Sequence, residues 1–300
     1  MNLNLKLRRE IPLHIMILPA LVLIIIFNYG PMVGIIIAFE KYIPTKGFFG
    51  SKWVGLDNFR YILSMPDIQQ ILKNTIVIAM TKIVVGLFIP VIVALSLNEL
   101  GSDRTKRAIQ TSIYLPHFLS WVILGGILVD ILSPSSGFVN KILGSLGVEP
   151  IFFLGDNDWF QFTVIITNTW KEFGYATIIY LAAITSVDPN LYEAAIVDGA
   201  NRWRQTWHIT LPGMKTIIIL MTVLSLGAVL NAGFDQLFNL YNPIVYETGD
   251  IIDTFVYRLG LIDAQFGPAT AVGLFKSLVS LVFISVSYFL ADKLAGYSIF

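Results

Sequence analysis

At 300 residues, with 55% hydrophobic and only 13% charged side chains, the chain is too apolar for an ordinary soluble domain, where about a quarter of residues are charged. Mean hydropathy is +0.73, and a formal net charge of zero gives no electrostatic basis for a nucleic-acid partner. There is no cysteine, which excludes disulfides, thiol catalysis and zinc–thiolate centres, and His14, His117 and His208 lack metal-ligand spacing, so no metal site is expected.

A bilayer-spanning helix needs about 20 mainly apolar residues. In chain order, the segments that meet this test are Leu13–Phe39, Thr75–Leu97, Ile109–Leu132, Phe160–Ile184, Met214–Phe234 and Ala269–Ala291. The expected architecture is therefore all-α and integral to the membrane. It has six transmembrane helices in a single domain over residues 1–300, with a polar cytoplasmic loop over residues 185–212. The first segment follows Lys6, Arg8 and Arg9 as a signal peptide would. Its apolar run is about twice the length of a signal h-region and no small-residue cleavage site follows, so an uncleaved helix is expected.

Cytoplasmic loops concentrate Lys and Arg. With the N-terminus inside, the short inner segments hold Arg104, Lys106, Arg107, Arg202, Arg204 and Lys293. The longer outer loops hold Lys41, Lys46, Lys52, Arg60, Lys73, Lys141 and Arg258. Basic density favours this orientation, and an even number of spans then returns the C-terminus to the cytoplasm.

Polar groups within a span are costly unless they face protein or a water-filled cavity. The fourth segment carries Asn168, Trp170, Glu172 and Tyr175 in the run NTWKEFGY. At about 100° per residue, Asn168, Glu172 and Tyr175 fall on one helix face. The fifth contributes Ser225, Asn231 and Asp235. Two readings stay open for these residues: hydrogen bonding between helices, or lining a solute path. Trp170 also suits an interfacial anchor. Lys82 and Lys276 lie inside apolar segments, where each can snorkel, pair with a carboxylate or face the path.

The loop between the fourth and fifth segments reads EAAIVDGANRWRQTWHITLP. Asp188 and Pro189 form a helix start, the Asp capping free amides and the Pro occupying the first helical position. Leu191, Ala194, Ala195 and Val197 are placed to pack, with Glu193, Asp198 and Arg202 toward polar surroundings. Gly199 would end or bend the helix, and Pro212 marks entry to the next span.

The spacing Glu193-Ala194-Ala195, three residues, Gly199, nine residues, then Ile209-x-Leu211-Pro212 resembles the EAA loop of ABC-importer permeases. The stretches LPALVLIIIFNYGPMVGIIIAFEKY, WVGLDNF, NTIVIAMTKIVVGLFIPVIVALSLNEL, TSIYLPHFLSWVILGGIL and LADKLAGYSIF resemble the LplB-like branch of the carbohydrate importers, which is related to the larger maltose-transporter permease. The resemblance implies a type I ABC-importer transmembrane domain in the cytoplasmic membrane of a bacterium or archaeon. Its implied partners are two ABC ATPase domains, a second homologous permease, and an extracellular or periplasmic solute-binding protein. Glu193, Ala194, Ala195, Asp198, Gly199 and Ala200 would couple the chain to the ATPase. The sugar would pass Asn168 and Tyr175, which carry over by position from the maltose permease. Glu172 matches no carboxylate there, and the resemblance assigns it no role.

The run GPATAVGLFKS lacks P-loop spacing, and no nucleophile–base arrangement stands out. The chain is therefore not expected to be an enzyme or to hold a cofactor, ATP and magnesium belonging to the partner ATPase. One competing class is a secondary carrier driven by an ion gradient, which commonly shows inverted repeats; none is visible here. Another is an ABC permease for amino acids or an inorganic anion, with Lys82, Lys171 and Lys276 as the available cations.

Overall fold

The computed structural model describes residues 3–295. The last residues of the closing LADKLAGYSIF stretch, and with them the C-terminus expected in the cytoplasm, lie outside the described residues. The chain is mostly helical and divides into two compact units, Met1–Met65 with Val256–Phe275, and Pro66–Phe255 with Lys276–Phe300.

In the first unit, α1 (Leu3–Ile24) runs on through a π turn (Ile25–Tyr29) and a 3-10 segment (Gly30–Phe39). Its apolar side chains from Leu13 to Phe27 lie exposed almost throughout, as suits a hydrocarbon solvent. A two-residue ladder follows, β1 (Glu40–Lys41) antiparallel to β2 (Lys52–Trp53), with α2 (Gly47–Gly50) in the connection. Phe39 stacks on Trp53 at 5.6 Å. Asn58, in α3 (Asp57–Ser64), donates to Ala38 O and Glu40 O at 2.9 and 3.0 Å, fixing the C-terminal end of the first helical segment.

The second unit is organised by two long helices, α4 (Ile68–Asn98) and α8 (Asn157–Thr185), packed against each other. Ile78, Ala79, Phe160 and Val164 meet Leu124, Leu128, Leu237 and Leu240 in one core, and Ala94, Leu97, Tyr180, Leu181, Ile184 and Met214 form another. Polar side chains of α4 satisfy the backbone of a long connection: Asn74 donates to Glu247 O and Asp250 O, and Thr75 accepts the Ile252 amide.

The third expected span is broken. α5 (Asp103–Tyr114) continues into a 3-10 turn (Leu115–Phe118), and α6 (Trp121–Ile131) leaves at 101° to it. Pro116 has no amide to donate, Leu119 is extended, and Ser120 caps a new helix by accepting the Ile123 amide at 3.3 Å. After α7 (Phe138–Ser145) and α8 comes the polar loop, with α9 (Pro189–Val197) and α10 (Arg202–Gln205). Helix therefore begins again inside the segment expected as loop, and runs through a π turn (Thr206–Thr210) into α11 (Leu211–Gly227).

The fifth span also ends early. α11 stops at Gly227, residues 228–233 turn and unwind, and α12 (Phe234–Leu240) starts after Gly233, whose φ of +96° only glycine adopts readily. Asn231 thus lies in unwound chain and Asp235 in the first turn of α12. Short helices α13 (Tyr246–Gly249) and α14 (Ile252–Tyr257) precede α15 (Phe266–Ala295), which contains the last expected span.

Four of the described helices are long and apolar enough to cross a membrane, or five if the bent α5–α6 pair is one span. α8 is not among them, although its 29 residues extend about 43 Å. It carries Asp158, Lys171 and Glu172 and a series of threonines, as a helix surrounded by protein can.

Candidate functional site

The polar loop folds as its sequence dictates. Asp188 accepts the Asn190 amide at 3.0 Å and Pro189 opens α9. At the other end, Gly199 takes a left-handed φ of +74°. Its amide donates to Ile196 O at 3.0 Å, and the Ala200 amide reaches back to Ala195 O at 2.8 Å. This double closure satisfies carbonyls that the end of a helix leaves open. The loop is tied down at three points: Tyr192 Oη lies 3.0 Å from Thr210 Oγ1, Gln205 donates to Ala200 O, and Arg202 pairs with Glu99.

Leu191, Ala194 and Val197, expected to pack, are exposed instead, Val197 at 88%, as is Ile196. Ala195 is half-buried, while Glu193 and Asp198 are exposed. The loop's own anchors are polar, two of them local and the third reaching back to Glu99, so α9 keeps an apolar face that no described part of the chain covers.

A second cluster forms where the broken span meets α8. Gly174 allows the approach: a Cβ there would lie 2.0 Å from Ile113 O. Four residues beyond Ile113 the chain delivers His117 to α8. His117 Nδ1 is 2.7 Å from Glu172 Oε2, and Lys171 Nζ lies 3.1 Å from Glu172 Oε1 and 2.8 Å from His117 O. An ionised carboxylate only accepts, which assigns the proton to Nδ1. Lys171 is only 6% exposed and lies over the Trp121 ring, its charge balanced by Glu172. The His117 ring is stacked on Tyr175 at 4.1 Å with 4° between planes.

Of the expected path residues, Glu172 and Tyr175 are thus brought together through His117. Asn168 is half-buried on the same helix and Trp170 is exposed. Ser225 is half-buried in α11, and Asp235 is exposed. Asn231 belongs to a separate arrangement around the unwound segment. Lys82 Nζ donates to Ala232 O and Gln236 Oε1, both at 2.6 Å, and Gln236 donates on to Val164 O and Thr167 Oγ1. Lys276 Nζ donates to Asn231 Oδ1 at 2.8 Å and to Asp253 Oδ1 at 2.6 Å. Two lysines from two helices therefore hold the break, one by a backbone carbonyl and an amide, the other by an ion pair. His117 was passed over in the sequence because its partners are 54 and 55 residues away. The signal available was Pro116 just before it and Ser120 just after.

The family model for binding-protein-dependent transport system inner membrane components matches residues 86–296, a stretch that contains the loop, the broken span and the unwound segment. The chain belongs to this permease family.

The permease is 42% identical to Protein LplB of Bacillus subtilis strain 168, over 96% of this chain and 90% of that one. It is also 42% identical to the polygalacturonan/rhamnogalacturonan transport system permease protein YteP of the same strain, over 97% and 91%. Among solved structures it is similar to a chain of a bacterial alginate ABC transporter in complex with an alginate pentasaccharide-bound periplasmic protein, with TM-score 0.91, 38% identity and full coverage of both chains. Its fold is that of a type I ABC-importer transmembrane domain, and it is a multi-pass membrane protein. This membership sets aside the ion-driven carrier.

Proposed function

We propose that this permease is one subunit of an ATP-driven importer for an oligosaccharide or polysaccharide fragment, coupled through α9 to a separate ATPase. The observation that carries the coupling is the geometry of α9: a nine-residue helix capped at one end, closed through Gly199 at the other, and apolar on an uncovered side. A short stiff helix can transmit displacement only if both ends are fixed, and an exposed apolar face on a loop calls for a partner. Leu191, Ile196 and Val197 would fill a groove of the ATPase subunit, with Glu193 at its polar rim. ATP and magnesium would be held there and not in this chain.

The relatives supply the solute class. YteP is named for polygalacturonan and rhamnogalacturonan transport, and a similar solved chain belongs to a bacterial ABC transporter involved in the import of the acidic polysaccharide alginate. A second permease and an extracellular or periplasmic solute-binding protein complete the assembly. Within the chain, the six-span reading is completed by taking α5–α6 as one bent span and α8 as a span surrounded by protein. Both termini are then cytoplasmic, on the same side as α9, and residues 1–300 serve as one permease domain.

Replacing Glu193 or Gly199 by arginine tests the coupling. The expected result is loss of sugar uptake and of ATPase co-purification, with membrane insertion unchanged. Uptake at the unaltered level in both variants would remove α9 from the coupling role.

A further inference from the structure

Glu172 is the sixteenth of the 29 residues of α8, so in a membrane-crossing helix it sits close to mid-depth. Its side chain is nonetheless 40% exposed, and beside it Tyr175 is 46% exposed. A carboxylate at that depth cannot face hydrocarbon; its open side must meet water or a polar partner. His117 shares this surface: its ring covers one face of Tyr175, and its Nδ1–H fixes one Glu172 oxygen. Lys171, by contrast, is buried and spent on Glu172 and on the His117 carbonyl.

Resting on the importer reading above, we infer that the 3-10 turn closing α5 carries His117 into the water-filled solute path. There His117 positions the Glu172 carboxylate and the Tyr175 ring as a joint platform for a sugar unit. The aromatic ring would meet the C–H face of the sugar, and the carboxylate oxygens would accept from its hydroxyls. The imidazole keeps both at a fixed separation, because it is stacked on one and bonded to the other. His117 lies in the 3-10 turn that closes α5, just ahead of the bend, and this turn sets its ring against α8.

The absence of native cysteine makes the test direct. Single cysteines at His117, Asn168 and Tyr175, and at Met16 as an apolar exposed control, would be placed in the intact importer in proteoliposomes. They would be treated with the charged, water-soluble thiol reagent MTSET and read by the mass of this chain. Expected is labelling of H117C at a rate comparable to N168C and Y175C, and several-fold faster than M16C. Labelling of N168C and Y175C with H117C as slow as M16C would overturn the inference alone. All of them unlabelled would overturn the path reading together with it. Should H117C fail to assemble, diethylpyrocarbonate on the cysteine-free importer, mapped to individual histidines, reads the same accessibility. An unmodified His117 in the assembled complex would sink the proposal, and a modified one would support it.

Discussion

At the scale of single residues, the charges within the spans show how the chain tolerates a cost it could have avoided. Lys276 and Asp253 form a partly buried ion pair at 2.6 Å that also fixes Asn231. Removing one partner of such a pair strands the other charge, a loss of about 3–5 kcal/mol, whereas removing both can be close to neutral. Lys276→Met should therefore lower the thermal midpoint of the detergent-solubilised protein sharply, and Lys276→Met with Asp253→Leu should recover most of that fall. A single variant as stable as the parent would show that the pair is not where the segment is held. Gly174 poses the opposite problem, of space. A Cβ 2.0 Å from Ile113 O cannot be accommodated without separating α5 from α8. Gly174→Val should cost at least the roughly 1–3 kcal/mol of an overpacked site. It should also slow uptake, read as a melting shift and an initial transport rate measured together.

At the scale of elements, local chemistry was legible and tertiary demands were not. The ends of α9 could be read from Asp188, Pro189 and Gly199, because a cap, a first-turn proline and a left-handed glycine act on their immediate neighbours. Substituting valine at Gly199 should accordingly cost about 1–3 kcal/mol locally, since a β-branched residue is strained at φ +74°. The variant should show faster amide exchange in α9 than in α8; equal protection would mean that the closure is not needed. The broken third span was hidden because the segment from Ile109 to Leu132 stays apolar enough on average to read as one crossing, its polar residues scattered along it. Pro116 and Ser120 are modest signals against such a background, since proline is tolerated in membrane helices. The early end of α11 escaped for the same reason. Residues 228–233 are mostly small and apolar, and what unwinds them is Gly233 together with lysines contributed by distant helices.

At the scale of the whole molecule, the count of crossings depends on α8, whose composition fits a protein environment better than lipid. Single cysteines at Gly147 and Gly199, on either side of α8, decide this with an impermeant thiol reagent on intact cells and on inverted vesicles. The expected outcome is that G147C labels from outside and G199C from the cytoplasm. If both label from one side, α8 does not cross, and α9 and the other loops must be reassigned. The lysine brace at the unwound segment carries a further consequence, for the making of the protein. Lys82, fifteenth of the 31 residues of α4, must wait for partners about 150 residues downstream. At 5–20 residues per second that wait is roughly 8–30 s. Lys276 emerges after Asn231 and Asp253 have already been made. A lone ammonium at mid-helix costs about 2.5–3.5 kcal/mol on insertion. For those seconds α4 is therefore an unfinished helix, its lysine without the two acceptors, Ala232 O and Gln236 Oε1, that it meets in the finished fold.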